Sequence, residues 1–199
     1  MPITEEDIPV RAGRPRDPAC DAAILQAALD IFAEEGYARV SIDGVAARAG
    51  VGKATIYRRY ASKAELVVEA IRCGVQMDSE LPDTGNLRAD LIAIMQPLLD
   101  RLRGADAKLM ITFAVERVRE PELAEAFDRS VVGKKRVHLR RLVASAIERG
   151  ELPSDVDVDL IAEAPPAFLW HHAINGLPMD EGLLERILDL VLPGTSVSA

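Results

Sequence analysis

SIDGVAARAGVGKATIYRRYASK, from Ser41 to Lys63, reads as two short helices joined by a tight turn. Ser41 is a good N-cap, because its hydroxyl accepts one of the backbone N–H groups that a first helical turn leaves without a partner. Val45, Ala46 and Ala49 follow at helical spacing, and Gly50 falls where a left-handed residue ends a helix. Val51 plugs the turn, and a second helix is expected from about Gly52 to Tyr60. At 100° per residue Ile56 and Tyr60 share the side that packs on the first helix. Ala54 and Arg58 point the opposite way, with Lys53 and Tyr57 on one flank and Thr55 and Arg59 on the other. A second helix that buries so little and exposes so many donors fits the recognition helix of a helix-turn-helix.

Charge supports this reading. Arg48, Lys53, Arg58, Arg59 and Lys63 occur without an intervening Asp or Glu, in a chain of 199 residues with a net charge of -8. Residues 1–66 hold 9 Lys and Arg against 10 Asp and Glu, a net of -1, so the remainder carries -7. Acidic charge is concentrated away from the expected DNA-facing side and disfavours a second, nonspecific contact with DNA there.

The segment Ala49-Gly50-Val51-Gly52-Lys53-Ala54-Thr55-Ile56-Tyr57-Arg58-Arg59-Tyr60-Ala61-Ser62-Lys63 resembles the DNA-binding segment of TetR/AcrR-type transcriptional regulators. The likeness runs from roughly Asp17 to Leu66, and Thr-x-Tyr followed by an aromatic and Ser-Lys is its most specific part. Gly52 departs from it, since many relatives carry a Ser or Thr cap there. The resemblance implies an all-α protein of about nine helices, with an N-terminal three-helix DNA-binding domain and a C-terminal helical ligand-binding and dimerisation domain. It implies that Lys53, Ala54, Tyr57 and Arg58 approach base edges, that Thr55, Arg59 and Lys63 hold phosphates, and that Ser41 adds a phosphate contact. It also implies a homodimer on a double-stranded, near-palindromic operator, acting as a repressor released by a small apolar effector; a cytoplasmic location is expected separately, from the acidic N-terminus and the two cysteines. A constitutive DNA-binding protein without a small ligand is the alternative, favoured by a ligand-free structure lacking an internal cavity.

Around this centre, residues 1–17 read as a flexible arm in which Arg11, Arg14 and Arg16 surround Gly13 and Pro15. Such an arm either follows DNA phosphates or an adjacent minor groove, or is a solubilising tail. Asp17 and Pro18 start a helix, and Ile24, Ala27, Ala28, Ile31 and Phe32 recur along one side of it before Gly36. Ser62-Lys63-Ala64-Glu65 is a capping box opening a helix to about Asp78. The DNA-binding unit is therefore placed at 18–80, and LPDTG at Leu81–Gly85 separates it from a regulatory and dimerisation domain over 86–199.

In that second part a helix from Asn86 to about Arg103 contains Pro97, which is expected to kink or end it. A helix over 108–119 and a long one from Pro121 to Arg149 follow, the latter with the basic run KKRVHLRR at 134–141, read as a solvated or ion-paired face. Pro165 and Pro166 are expected to break the apolar segment 157–175. Met95, Met110, Phe113, Phe168 and Trp170 are the candidate lining of an adaptable apolar pocket near these irregularities, or else plain core. Leu184, Ile187, Leu188 and Val191, with the stretch from Ala167 to Ile174, are candidates for a four-helix dimer interface, or else close the protomer's own core.

Other chemistry finds no support. His171 and His172 point about 100° apart on a helix, and with His138 and Cys73 they give no metal-ligand spacing. There is no phosphate loop, nucleophile elbow or HExxH pattern, so no catalytic residue, metal or cofactor is assigned and the chain is not read as an enzyme. No apolar run reaches the roughly 18–20 residues of a membrane helix, and Glu5, Glu6 and Asp7 stand where a signal segment would be apolar. Cys20 and Cys73 read as reduced thiols.

Overall fold

The apolar stripe that opens the chain is also what the fold is assembled on. In a computed structural model describing residues 18–78 and 80–192, helix α1 (Pro18–Glu35) buries Ile24, Ala27, Ala28, Ile31 and Phe32. Gly36 then turns the chain with φ +82°, a backbone state a side chain rarely adopts, into a 3-10 turn at Tyr37–Arg39. The basic arm, and with it Arg14 and Arg16, lies outside the described residues.

Helices α2 (Ile42–Ala49) and α3 (Lys53–Tyr57) form the helix-turn-helix. Ser41 Oγ accepts from Gly44 N–H at 3.1 Å, and Gly50 closes α2 in the left-handed region, letting Val51 N–H reach back to the Ala46 carbonyl at 3.0 Å. α3 is shorter than the expected 52–60. Beyond Tyr57 the chain continues as a turn in which Arg58, Arg59 and Tyr60 N–H groups still donate to the Ala54 and Ile56 carbonyls.

Helix α4 (Lys63–Gly74) starts on Ser62, whose hydroxyl accepts from Glu65 N–H at 3.1 Å, while Glu65 accepts in return from Ala61 N–H at 3.0 Å. It ends four residues before the expected Asp78, at a tight approach to α1: a Cβ on Gly74 would stand 2.4 Å from Leu29 Cδ2. α4 packs on α1 on one side and on α7 on the other.

The second half consists of α5 (Leu87–Arg103), α6 (Ala107–Arg119), α7 (Pro121–Phe127), α8 (Gly133–Glu148), α9 (Val158–Asn175) and α10 (Leu183–Val191). A π-helical segment, Asp128–Val132, joins α7 to α8, so these run as one rod and the described residues form nine rods with no strand. The widened π turn needs its glycine, because a Cβ on Gly133 would lie 2.9 Å from the Asp128 carbonyl oxygen. The 81–86 loop is pinned to α5 by the buried Asp90, whose carboxylate accepts from Thr84 N–H and, at 2.8 Å, from its hydroxyl.

One sequence expectation is corrected here: α9 does not break at Pro165 and Pro166 but runs through both, and of the two outcomes expected at Pro97, a kink or an end, α5 does not end there. Packing decides this: Ile161, Ala162, Pro165 and Leu169 are buried against α5, α8 and α10, and that burial offsets the main-chain bonds the prolines remove.

The proposed dimer stripe is also placed differently. Leu184, Ile187 and Leu188 are at most 5% exposed and Val191 is half-buried, all against the protomer's own core, with α10 packed on α5 and α9. A stripe of period 3.6 marks a side to be buried, and here α5 and α9 cover it. Of the second candidate stretch, Phe168 and Ile174 are exposed, as are Leu160 and Leu177 nearby.

Candidate nucleic-acid interface

α3 is fixed by one deeply buried residue, Ile56, with Val51 and Tyr60 half-buried beside it. Thr55 is half-buried, while Lys53, Ala54 and, just past the helix, Arg58 are exposed, and Tyr57 is 60% exposed, unusual for an aromatic side chain without a function on the outside. Arg58 makes one long contact with the Thr55 hydroxyl, at 3.5 Å. Lys53 Nζ reaches across the turn to Asp43 Oδ2 at 2.8 Å, which holds its ammonium above the usual lysine range. Both groups are well exposed, so the pair is weak and can open toward a phosphate or a base.

Two expected phosphate holders sit otherwise. Arg59 turns inward: its side chain is only 17% exposed, pairs with Asp21 of α1, and donates to the Thr55 carbonyl at 3.1 Å. Lys63 donates to the Tyr37 carbonyl at 3.2 Å and lies 4.0 Å over the Tyr37 ring. Both therefore tie the helix-turn-helix to α1 and the 3-10 turn in this conformation. Neither tie has a local signature, since Asp21 and Tyr37 lie 38 and 26 residues away in sequence.

The three arginines of the basic run at 134–141 are ion-paired rather than free. Arg136 pairs with Asp128 at 3.2 Å, Arg140 with Asp159 at 2.5 Å and Arg141 with Asp83 at 3.1 Å, and His138 Nε2 lies 2.8 Å from the Pro82 carbonyl.

Inside the second half a cavity of about 300 Å³ opens between α5, α6, α8 and α9. Met95, Met110 and Trp170 line it, as expected from the sequence. Phe113 does not: it packs edge-on between Phe32 and Phe127, with ring centres 6.2 and 4.9 Å away. Phe168 does not either, because it points to the outside of α9. Ala162 and Pro166 line the wall where proline leaves the Ala162 carbonyl without an N–H four residues on. Four cations that apolar periodicity did not single out, Arg101, Arg117, Lys135 and Arg136, complete the lining.

An exposed recognition helix after a capped, glycine-terminated helix on an all-α scaffold defines a helix-turn-helix protein with a separate helical domain. Residues 24–70 match the sequence profile of the bacterial regulatory proteins of the tetR family, and residues 81–191 match that of the tetracyclin repressor-like C-terminal domain. The chain belongs to the TetR family of transcriptional regulators, which are DNA-binding proteins and not enzymes. It is 33% identical over 193 residues to an uncharacterised HTH-type transcriptional regulator of Mycobacterium tuberculosis, covering 94% of this chain and 95% of that one. It is 35% identical over 172 residues to the DNA-binding transcriptional repressor TetR of Mycobacteroides abscessus, covering 86% and 90%. Its fold matches that of the Bacillus subtilis regulator FadR in complex with stearoyl-CoA with a TM-score of 0.65 at 20% identity, over 86% of this chain and 97% of that one. Among the described residues no helix is long and apolar enough to cross a membrane, and no group of three His, Cys, Asp or Glu is placed to hold a metal ion.

Proposed function

We propose that the protein is a ligand-responsive repressor that binds a near-palindromic operator as a homodimer and releases it when a small effector with an apolar body fills the cavity. In this reading residues 18–80 bind DNA, residues 86–199 dimerise and sense the effector, and the protein works in the cytoplasm. The observation that carries it is α3, whose outward Lys53, Ala54, Tyr57 and Arg58 have no packing role in the protomer. Those four read base edges, and Thr55 and the first turn of α2 behind Ser41 meet phosphates, where backbone N–H groups and the helix dipole favour an anion. A recognition helix of this length spans too few base pairs to be selective alone, so a second copy is required, with half-sites about 34–36 Å apart. The cavity supports an effector over a constitutive protein, and its size is at the lower end of ligand sites, which run from about 300 to 1,000 Å³.

Titration of labelled DNA from the protein's own promoter tests the reading. Saturation is expected at two chains per site, with random DNA bound at least about a thousandfold more weakly. One chain per duplex, or equal affinity for random DNA, would refute it. Arg58→Ala is expected to cost about 1–3 kcal/mol on operator and to relax preference at one base position, with little change on random DNA. Lys63→Ala, by contrast, is expected to lower thermal stability through loss of its Tyr37 contacts, with a salt slope nearly unchanged. Fluorescence anisotropy over a salt series separates the two. If Arg58→Ala weakened both DNAs equally, Arg58 would be a phosphate contact.

A further inference from the structure

The charge balance of the cavity narrows what it accepts. Its apolar wall includes Met95, Leu98, Met110, Leu139 and Trp170, so an occupant must have an apolar body. Four cations and only one acid, Glu163, complete the ring. Arg136 is already compensated, lying 3.6 Å from Glu163 and 3.2 Å from Asp128. The other three have no carboxylate within ion-pair distance among the described residues. Arg101 donates to the neutral carbonyls of Val75, at 2.7 Å, and Gln76, at 2.5 Å, and Lys135 donates to that of Met77, at 3.3 Å. Arg117 lies 4.7 Å over the Phe127 ring, and its Nε is buried with no acceptor at all.

Burial is the leading influence on all three, and it holds each below the usual range for its residue type; for Lys135 the neighbouring Arg101 charge adds to the effect. Carboxylates act on them only from beyond ion-pair distance, Asp106 and Asp100 on Arg101, Asp128 on Arg117 and Asp78 on Lys135, and these do not outweigh burial. Incompletely compensated positive charge against an apolar wall costs free energy in the empty protein, and a bound anion would recover it. A neutral ligand would leave the three charges as they are, and a cation would be repelled by them.

We infer that the cavity takes a small amphipathic anion, an acid group on an apolar body, with the acid group held by Arg117 and Lys135 and the body against Met95, Met110 and Trp170. The inference rests on the cavity being the effector site and specifies the chemistry of the effector. It also gives the ligand a handle on the rest of the protein. Arg101 and Lys135 are the residues that hold the carbonyls following α4, and α4 packs on α1 beside the helix-turn-helix. An ionised acid is a stronger acceptor than a peptide carbonyl, so it competes for Lys135 where Lys135 now holds Met77.

The test uses matched sets of probes on the full-length protein. Octanoate, octan-1-ol and octylamine form one set, and 2-naphthoate, 2-naphthol and 2-naphthylmethylamine another. Binding is measured by isothermal titration calorimetry. In at least one set the carboxylate is expected to bind about tenfold or more tightly than the alcohol, since hydrogen bonds to charged groups are stronger than those between neutral ones. The amine should bind weakest. Arg117→Met and Lys135→Met should each bring the acid and alcohol affinities together, while Arg117→Lys should keep most of the preference. Unfolding curves confirm that each variant is folded, and the two positions report independently if one is not. Equal or tighter binding of the alcohol or amine, survival of the preference in both methionine variants, or no binding by any probe would overturn the inference. Operator titration with the same probes separates it from the functional reading. A carboxylate that binds selectively without weakening operator affinity supports the anion site and refutes its role as effector site. Operator release by the alcohols as effectively as by the acids supports an effector site and refutes the anion.

Discussion

Phe168→Glu combined with Ile174→Glu is expected to give a folded monomer whose operator affinity is about a thousandfold or more below that of the unaltered protein. The two side chains are 37% and 58% exposed, on the outer side of α9 with Leu160, which is 65% exposed. Exposed substitutions away from packed features change stability by no more than about 0.5 kcal/mol, so the protomer should tolerate both. The homodimer should not. A two-fold interface meets each substitution twice, so four carboxylates would enter one apolar seam without partners. A lone protomer retains one recognition helix and with it affinity close to the nonspecific level. Sedimentation equilibrium and anisotropy on the same samples measure both effects, and a dimer of unchanged operator affinity would remove α9 from the interface. Leu188→Glu supplies the contrast. Leu188 has no exposure and packs inside the protomer, so burying a charge there should abolish folding instead of producing a soluble monomer.

That contrast shows where sequence reading is strong and where it stops. The helix-turn-helix is legible because its determinants are local: the Ser41 cap, the left-handed Gly50 and the single inward Ile56 lie within sixteen residues. The stripe on α1 is equally legible, and its five expected positions are the five that are buried. Periodicity states which side of a helix is covered and not what covers it, so Leu184, Ile187 and Leu188 were compatible with a partner subunit or with α5 and α9. On α9 the pattern carries still less, because apolar residues occur all round it. Ile161 and Leu169 face the core, while Leu160, Phe168 and Ile174 face out. The cavity cations are the least legible feature. Arg101, Arg117 and Lys135 come from three helices, each is an ordinary charged residue in its own segment, and only the fold brings them together.

Phe113→Ala is expected to lower stability by about 3–5 kcal/mol, the usual cost of removing a buried phenyl ring, while leaving operator affinity at 25 °C within about threefold. The sequence left Phe113 as pocket lining or plain core, and it is core, at the junction of the two halves. It is 1% exposed and lies edge-on to Phe32 of α1 on one side and to Phe127 of α7 on the other. Edge-on aromatic pairs add about 0.5–1.5 kcal/mol beyond their burial, and truncation removes two of them at once. For a chain of this size each kcal/mol shifts the melting temperature by about 2–4 °C, so a fall of about 6–20 °C is expected. Phe113→Leu, which refills most of the space, should fall between. The loss should also be uneven. The ring pairs of Phe113 are with α1 and α7, so the DNA-facing side chains should keep their positions, whereas α1 loses an aromatic anchor on α6. Calorimetry should therefore resolve one cooperative transition in the unaltered protein into two in Phe113→Ala, the helix-turn-helix unit melting apart from the helical domain. A single transition shifted by less than about 2 °C would mean that the ring contributes packing that its neighbours replace. The halves would then be joined chiefly through α4, which packs on α1 and α7 and whose following carbonyls are held by Arg101 and Lys135.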